Sequence, residues 1–369
     1  MKRLKALIKM ECKSAWIIGL YFMMINICIF AALQEAIIEI KQDYLLDGIR
    51  LAGNYTNIDG IFGQYTGVAI IAVIMYCIGF CLLVGFSFKQ DKGHESSRFL
   101  KALPYTMQER ILVKMGVGLG IYIVNALIWV IGLFVNRMQF FTQFKDILDV
   151  TMLGELVYTY FTPEFVGKLC IYFVLLTVAF YLFLILMQYL INPNIGSIVS
   201  AIFMFLSPTF IVVSATIYIE NSMWLNYISK GLANLYLVID HWVEYSVELK
   251  NGNIGYFNAP FQIGNMTSFM IGWGIIIGAE VAGILVLSKT YLLEKSDLFI
   301  GRTGFKLLYK IGVTVCGGLL MGDLYSMCTG NVHQAECYIA FIIGALISYF
   351  IVSKITNIGM PKQKKEVAA

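Results

Sequence analysis

The sequence predicts an all-α, polytopic integral membrane protein with about eight transmembrane helices. Its 369 residues are 59% hydrophobic and only 14% charged, whereas about a quarter of the residues in a soluble domain are charged. The mean hydropathy of +0.76 agrees with this difference. A helix needs about 20 apolar residues to cross a bilayer, and stretches of that length recur along the chain. These properties exclude a soluble globular protein.

The apolar stretches define eight candidate spans. They lie at about residues 15–38, 66–88, 113–135, 168–191, 195–219, 267–288, 311–328 and 337–353. No small-residue cleavage site follows the first span, so we expect it to stay in the protein as a transmembrane helix rather than act as a cleaved signal. An even number of spans places both termini on the same side of the membrane.

The distribution of charge predicts which side that is. With the N-terminus inside, 20 of the 27 Lys and Arg residues fall in cytosolic segments. The outer segments hold most of the acidic residues, including Asp43, Asp59 and Asp146. Because Lys and Arg accumulate in short cytoplasmic loops, the sequence predicts an N-in, C-in protein. The basic residues flank the membrane spans without interleaved aromatic residues, so we expect no nucleic-acid partner.

We interpret residues 1–369 as one transmembrane domain. Residues 1–14 form a basic amphipathic run that we expect to lie along the inner leaflet as an interfacial segment; the alternative is a plain charged flank of the first span. Residues 89–112 and 289–310 are predicted cytoplasmic loops, and residues 354–369 a cytoplasmic tail.

The outer loop at residues 220–266, between spans five and six, is too polar to cross the membrane and too apolar to be a free loop. We expect interfacial helices here, with Trp224 and Trp242 near the lipid headgroups, where Trp and Tyr are enriched. These two tryptophans would form an outer gate or a surface that contacts the substrate. The alternative is that they pack against neighbouring helices.

The inner loop at residues 89–112 carries the pattern of a short helix between two rigid spans. Phe99, Leu100 and Leu103 share one helical face, with Arg98 beside it. Pro104 ends this helix, because the residue before a proline is disfavoured in the α conformation. The sequence from Thr106 to Glu109 has the spacing of a capping box, which predicts the start of the next helix.

This loop resembles the coupling loop of ABC-2 type ABC-transporter permeases. The family pattern is an acidic residue, a Gly, a helix with Phe and Leu, Leu-Pro, and then Arg and Lys leading into the next span. The matching residues here are Asp91, Gly93, Phe99, Leu100, Leu103, Pro104, Arg110 and Lys114. The usual Glu is an Asp, His94 stands where Thr is common, and spans seven and eight exceed the six-span pattern. The layout matches over about residues 1–295, and the motif covers about 30 residues.

The resemblance implies a transport subunit that works as a homo- or heterodimer of permeases in a bacterial plasma membrane. Each permease would contact a separate ABC ATPase subunit, which binds ATP and Mg²⁺, and would export or extract an amphiphilic substrate such as an antimicrobial peptide or a lipid. Membrane lipids would surround it. The chain itself has no phosphate-binding G-x-x-x-x-G-K-[ST] motif, so we expect no cofactor and no enzymatic activity in this chain.

Other polar residues are weaker candidates. Glu280 lies in the middle of span six, where a carboxylate is costly, and Asp323 lies nearer the outer end of span seven. Each is either part of a substrate path or a buried structural group. Cys328 and Cys337 flank one short outer loop, which makes a disulfide possible. The three histidines are too scattered for a metal site.

Two other classes of protein remain open. An ion-gradient-driven secondary transporter would be expected to show repeated halves with broken helices, and the sequence shows no such repeat. A membrane-embedded acyltransferase or protease would need an activated nucleophile, and neither H-E-x-x-H nor G-x-S-x-G occurs. A neighbouring gene for an ATPase would separate these classes from an ABC transporter.

Overall fold

A computed structural model describes most of the chain. The described residues are 2–47, 60–92, 105–148, 157–158, 161–218, 242–248, 254–260, 266–289, 299–300, 303–329 and 334–357. Within them, eight helices are long and apolar enough to cross a membrane, and each overlaps one predicted span. The predicted all-α class with eight spans is therefore confirmed.

The eight helices are numbered in chain order. They are α1 (Lys2–Asp47), α2 (Gly60–Lys92), α3 (Met107–Leu148), α4 (Pro163–Leu190), α5 (Asn194–Tyr218), α6 (Met266–Lys289), α7 (Thr303–Thr329) and α8 (Gln334–Thr356). At 1.5 Å per residue, α1 and α3 measure roughly 69 and 63 Å, about twice the thickness of the hydrocarbon core. Both helices must therefore extend beyond the membrane.

The N-terminal residues form the first turns of α1. No Pro or Gly interrupts the chain before Gly19, so the helix continues without a break from Lys2 into the first span. The buried residues Leu7, Glu11, Ala15 and Ile18 lie on one face at a spacing of three or four. These residues therefore pack as part of the first long helix, and their expected place along the inner leaflet stays a prediction.

A two-stranded antiparallel hairpin stands between α5 and α6. Its strands are β1 (Trp242–Glu248) and β2 (Ile254–Pro260), paired from Trp242 opposite Pro260 to Glu248 opposite Ile254. The interfacial helices predicted for residues 220–266 are wrong for this part of the loop. Val243, Tyr245 and Val247 alternate with polar residues, as in a strand, and an Asn-Gly pair separates the strands in the sequence, a strong hairpin signal.

The chain divides into two compact units. Unit 1 comprises Met1–Leu83, Leu112–Tyr181 and Leu237–Gly278. Unit 2 comprises Val84–Ile111, Leu182–Tyr236 and Ala279–Ala369.

In unit 1, α1 and α3 run parallel. Gln34 of α1 bonds Gln139 of α3, and further towards the start of both helices Glu11 pairs with Lys114. The core of the unit is aromatic. Phe22 stacks on Tyr76 with ring centroids 4.5 Å apart, and Trp129 stacks on Phe173 at 4.0 Å. Rings of this kind contribute both buried area and a preferred geometry.

In unit 2, α5 and α7 also run parallel, with Ser200 hydrogen-bonded to Tyr309 at 2.9 Å and Ser214 to Asp323. The α7 and α8 helices approach closely through glycines. Gly317 and Gly318 of α7 face Ser348 and Phe341 of α8. A side chain at either glycine would collide with the other helix, as expected for small residues at a membrane helix interface.

Candidate functional site

The predicted coupling loop lies between the end of α2 and the start of α3 in the sequence. The structure describes both of its ends, since α2 ends at Lys92 and α3 begins at Met107. Asp91 lies in the last turn of α2. The other predicted coupling residues before α3 lie outside the described residues and stay predictions: Gly93, Arg98, Phe99, Leu100, Leu103 and Pro104.

The capping box predicted at the start of α3 is confirmed. The Thr106 backbone N–H donates to Glu109 Oε2 at 2.8 Å, and the Glu109 backbone N–H donates to Thr106 Oγ1 at 3.2 Å. Two N–H groups that a helix start leaves unpaired are thereby satisfied. The box begins α3 two residues after Pro104 in the sequence, which gives the coupling loop a sharply defined end.

Arg110 lies one turn into α3 and is only 8% exposed within unit 2. Its backbone N–H donates to the Thr106 carbonyl at 3.2 Å, so it belongs to the first turn of the helix. Its coupling role stays a prediction.

Lys114 is buried within unit 1 and is also held inside the protein. Its Nζ lies 3.9 Å from Glu11 Oε1 of α1, and both side chains are 10% exposed or less. The Tyr181 hydroxyl of α4 donates to the Lys114 backbone carbonyl at 3.3 Å. Lys114 therefore joins three helices. Sequence reasoning missed Glu11, although it is the one acidic residue in the basic run from Lys2 to Lys13.

A buried polar cluster cross-links α1, α2 and α3 in unit 1. The Tyr76 hydroxyl donates to Asn26 Oδ1 at 2.9 Å, and Asn26 Nδ2 donates to the Asn125 carbonyl at 3.0 Å. Nearby, Tyr122 of α3 and Thr177 of α4 are hydrogen-bonded at 2.6 Å, and the Tyr122 ring packs edge-on against Tyr76. Sequence reasoning missed this cluster; Asn in an apolar span was the available signal.

Glu280 lies in α6 and is 5% exposed within unit 2. Among the described residues, its Oε2 has no hydrogen-bond partner. A carboxylate without partners is costly away from water. Glu280 therefore lies inside a span, as predicted. No hydrogen bond to Oε2 among the described residues accounts for its burial.

Asp323 of α7 is partly exposed and accepts a hydrogen bond at Oδ2 from the Ser214 hydroxyl of α5. In the described part of unit 2, its Oδ1 has no partner. Asp323 therefore has a structural bond that the sequence did not predict. Its proposed place in a substrate path stays a prediction.

The remaining predicted residues are not brought together. Trp224 lies outside the described residues, and Trp242 is the first residue of β1. Cys328 is an exposed free thiol and Cys337 a buried one, so the predicted disulfide is not formed: Cys337 packs inside the protein while Cys328 faces outwards. Within the described ranges, no three His, Cys, Asp or Glu side chains cluster as metal ligands would.

The comparisons with known proteins add no relative. No family model, no curated protein and no solved structure matches this chain.

Proposed function

We propose that this chain is the membrane-spanning permease subunit of an ABC-2 type ABC transporter. It couples ATP hydrolysis by a separate nucleotide-binding subunit to the export or extraction of an amphiphilic substrate, with an antimicrobial peptide or a lipid favoured. The eight-helix membrane architecture supports a transport subunit, and the motif from Asp91 to Lys114 supports the family.

The observation that carries the proposal is that the motif connects two long helices, α2 and α3. It starts in the last turn of α2 and ends in the capped first turns of α3. A partner that pushed on residues 93–106 would act directly on the ends of two membrane-crossing helices. Such a connection is suited to transmit a mechanical movement.

Residues near the start of α3 are held within each unit. Arg110 is buried in unit 2, and in unit 1 Lys114 is paired with Glu11 and accepts from Tyr181. The contacts of Lys114 hold the start of α3 against α1 and α4. A force on the loop would therefore tilt helices rather than unwind α3. We infer that ATP binding by the partner drives this tilt in a dimer of permeases, in a bacterial plasma membrane.

The proposal is tested by co-purification with the ATPase encoded next to this chain. Affinity-tagged wild-type chain should retain the ATPase. The double variant Phe99→Asp/Leu103→Asp should lose it, because two carboxylates would replace the apolar face that enters the partner. A matched control, Met360→Asp/Val367→Asp, places the same two changes in the predicted cytoplasmic tail and should retain it.

Two results would refute the proposal. The first is that no ATPase associates with the wild-type chain under conditions in which the chain remains folded. The second is that the Phe99→Asp/Leu103→Asp variant retains the ATPase as well as the tail control does.

A secondary transporter driven by an ion gradient is the second candidate. The observation that favours it is Glu280, a buried carboxylate whose Oε2 has no partner among the described residues, since such groups often carry protons or ions in transporters. Proteoliposomes containing the chain alone would then take up protons in an imposed gradient, and Glu280→Gln would abolish that uptake. Uptake that requires the ATPase and ATP would exclude this candidate.

A further inference from the structure

An open groove runs along unit 1 between α1 and α3, with a volume of about 870 Å³. On α1 it is lined by Ile8, Cys12, Trp16 and Leu20, which recur every four residues and so form one face of the helix. Apart from Asn125, the side chains that line it on α3 are apolar. A groove of this kind in a membrane helix pair is shaped for a flexible hydrocarbon.

Two glycines of α3 keep the groove open. Gly116 and Gly120 both line it, and a Cβ added at either position would meet no atom within 4 Å. They are therefore unlike Gly317 and Gly318, whose added Cβ would collide with the facing helix. The space beside Gly116 and Gly120 is room for something other than protein side chains.

Positive charge lines one edge of the groove. Lys5, Lys9 and Lys13 are exposed and follow directly after the groove residues Leu4, Ile8 and Cys12, so they form a parallel stripe about 100° around the helix. The one acidic residue of α1 in this part of the sequence, Glu11, is buried against Lys114 and does not offset this stripe.

The three lysines flank only the part of the groove from Leu4 to Cys12, and the groove continues beyond them along the helix axis. Trp16, which is 55% exposed, lies three residues after the last of the three lysines, where a tryptophan marks the headgroup boundary of a membrane. The groove continues from Trp16 to Met23 on α1 and from Gly116 to Ile128 on α3, roughly 10 and 18 Å at 1.5 Å per residue. This length fits an acyl chain in one leaflet, which is about 15 Å thick.

We propose that the groove between α1 and α3 binds an anionic phospholipid of the inner leaflet. One acyl chain lies along Trp16, Gly116 and Gly120, and the phosphate is bound by Lys5, Lys9 and Lys13. The charge selects the occupant, because a zwitterionic lipid or an apolar helix would gain nothing from three exposed lysines at the mouth. The site does not depend on the proposed transport function.

Native mass spectrometry of the full-length chain, with any subunits that co-purify with it, tests the proposal. The probes are phosphatidylglycerol and phosphatidylcholine with identical palmitoyl and oleoyl chains, titrated separately. Wild-type protein should bind the first phosphatidylglycerol roughly tenfold or more tightly than phosphatidylcholine, since each lysine near the surface contributes about fivefold.

Two variants separate the chain-binding and headgroup-binding parts of the site. Gly116→Leu/Gly120→Leu fills the groove and should weaken the first site for both lipids by at least about tenfold; leucine also favours the helix more than glycine does. Lys5→Gln/Lys9→Gln/Lys13→Gln should remove the preference for phosphatidylglycerol and leave phosphatidylcholine binding unchanged.

Matched controls carry the same changes elsewhere. Gly274→Leu replaces an exposed helical glycine of unit 1 that also has no atom within 4 Å of an added Cβ, and it should not alter lipid binding. Lys289→Gln/Lys310→Gln/Lys354→Gln removes three charges from other inner helix ends and should keep the phosphatidylglycerol preference.

Three results would overturn the proposal. Equal binding of the two lipids by the wild-type chain would remove the role of the lysines. Unchanged binding in the Gly116→Leu/Gly120→Leu variant would show that lipid binds elsewhere. A change in the mass of the oligomer with this variant, without loss of lipid, would show that a second copy of the chain occupies the groove.

Discussion

The acidic residues of unit 1 and unit 2 differ in the partners of their carboxylate oxygens. In unit 1, the buried acid Glu11 is paired with Lys114, and Asn26 donates and accepts hydrogen bonds across three helices. In unit 2, the buried acid Glu280 has one oxygen without a partner among the described residues, and so does the partly exposed Asp323. Buried polar atoms without a partner occur in both units, but the acidic residues differ. Glu11 of unit 1 is paired, whereas Glu280 and Asp323 of unit 2 each have one oxygen without a partner among the described residues.

This difference indicates two roles for polar groups in the protein, one in stability and one in binding. Satisfied polar groups between helices stabilise one arrangement, because a broken contact would leave a polar atom in an apolar surrounding. A carboxylate oxygen without a partner has capacity left for a proton, an ion or a substrate. Glu280 and Asp323 of unit 2 are therefore the acidic residues that the proposed transport function would use.

The largest effect is expected for Lys114→Met. This change leaves Glu11 buried without its cation, and breaking a buried pair in this way costs about 3–5 kcal/mol of unfolding free energy. Reversible unfolding in mixed micelles measures it. The double variant Glu11→Gln/Lys114→Met should recover most of the loss, since no uncompensated charge remains.

The matched control for this prediction is Lys168→Met. Lys168 pairs with Glu164 at 2.7 Å on α4, but the two side chains are 31% and 74% exposed, and exposed pairs contribute little. If Lys168→Met destabilises the protein as much as Lys114→Met does, unit 1 is not held by its buried pair.

The next effect is expected for Gly344→Leu, which tests the tight contact of α7 and α8 in unit 2. A Cβ at Gly344 would lie 2.5 Å from Met321 Cγ and 2.7 Å from the Gly317 carbonyl oxygen. Such overpacking costs about 1–3 kcal/mol. Gly312→Leu in the same helix pair has no atom within 4 Å and should be neutral or stabilising. Equal unfolding free energies for the two variants would show that the close approach does not exist.

A smaller effect is expected for Tyr76→Phe, which removes the hydroxyl that donates to Asn26. Hydrogen bonds between membrane helices contribute about 0.6 kcal/mol on average and up to about 1.7 kcal/mol, and a bond in this closed cluster should fall near the upper value. Tyr349→Phe removes a hydroxyl from a half-exposed tyrosine of α8 and serves as the control. A loss no larger than that of the control would show that the cluster does not stabilise unit 1.

The smallest effect on stability is expected for Glu280→Gln. The change removes a carboxylate from a buried position, so the unfolding free energy should stay the same or rise by up to about 1 kcal/mol. ATP hydrolysis by the purified complex should remain within about twofold of wild type, because the proposed coupling does not pass through this residue. A loss of more than 2 kcal/mol would mean that Glu280 has a structural partner after all.

The sequence predicted the features that depend on local pattern. Eight apolar stretches were enough to find the helices, and the Thr-x-x-Glu spacing was enough to find the capping box at Thr106 and Glu109. Both signals are complete within one segment of chain. Residues such as Phe99 and Leu103 lie outside the described residues, so their part of the motif rests on sequence alone.

The features that the sequence did not predict depend on contacts between distant segments or on a competing local pattern. The pair of Glu11 and Lys114 and the bond from Tyr76 to Asn26 each join residues from different helices, which no local spacing encodes. The segment from Trp242 to Pro260 carries two competing patterns. Its aromatic residues are typical of membrane anchors, which favours interfacial helices, but its alternation of apolar and polar residues is typical of a strand, and the structure forms a hairpin.

Site-specific photo-cross-linking tests the central claim most directly. A photoreactive phenylalanine analogue is incorporated at position 99 in the coupling loop and, as a control, at position 347, where Ile347 is half exposed on α8. Irradiation of cells should link position 99, and not position 347, to an ATP-binding subunit. If position 99 links to no such protein, or both positions link to it equally, the chain does not receive ATP-driven work through this loop.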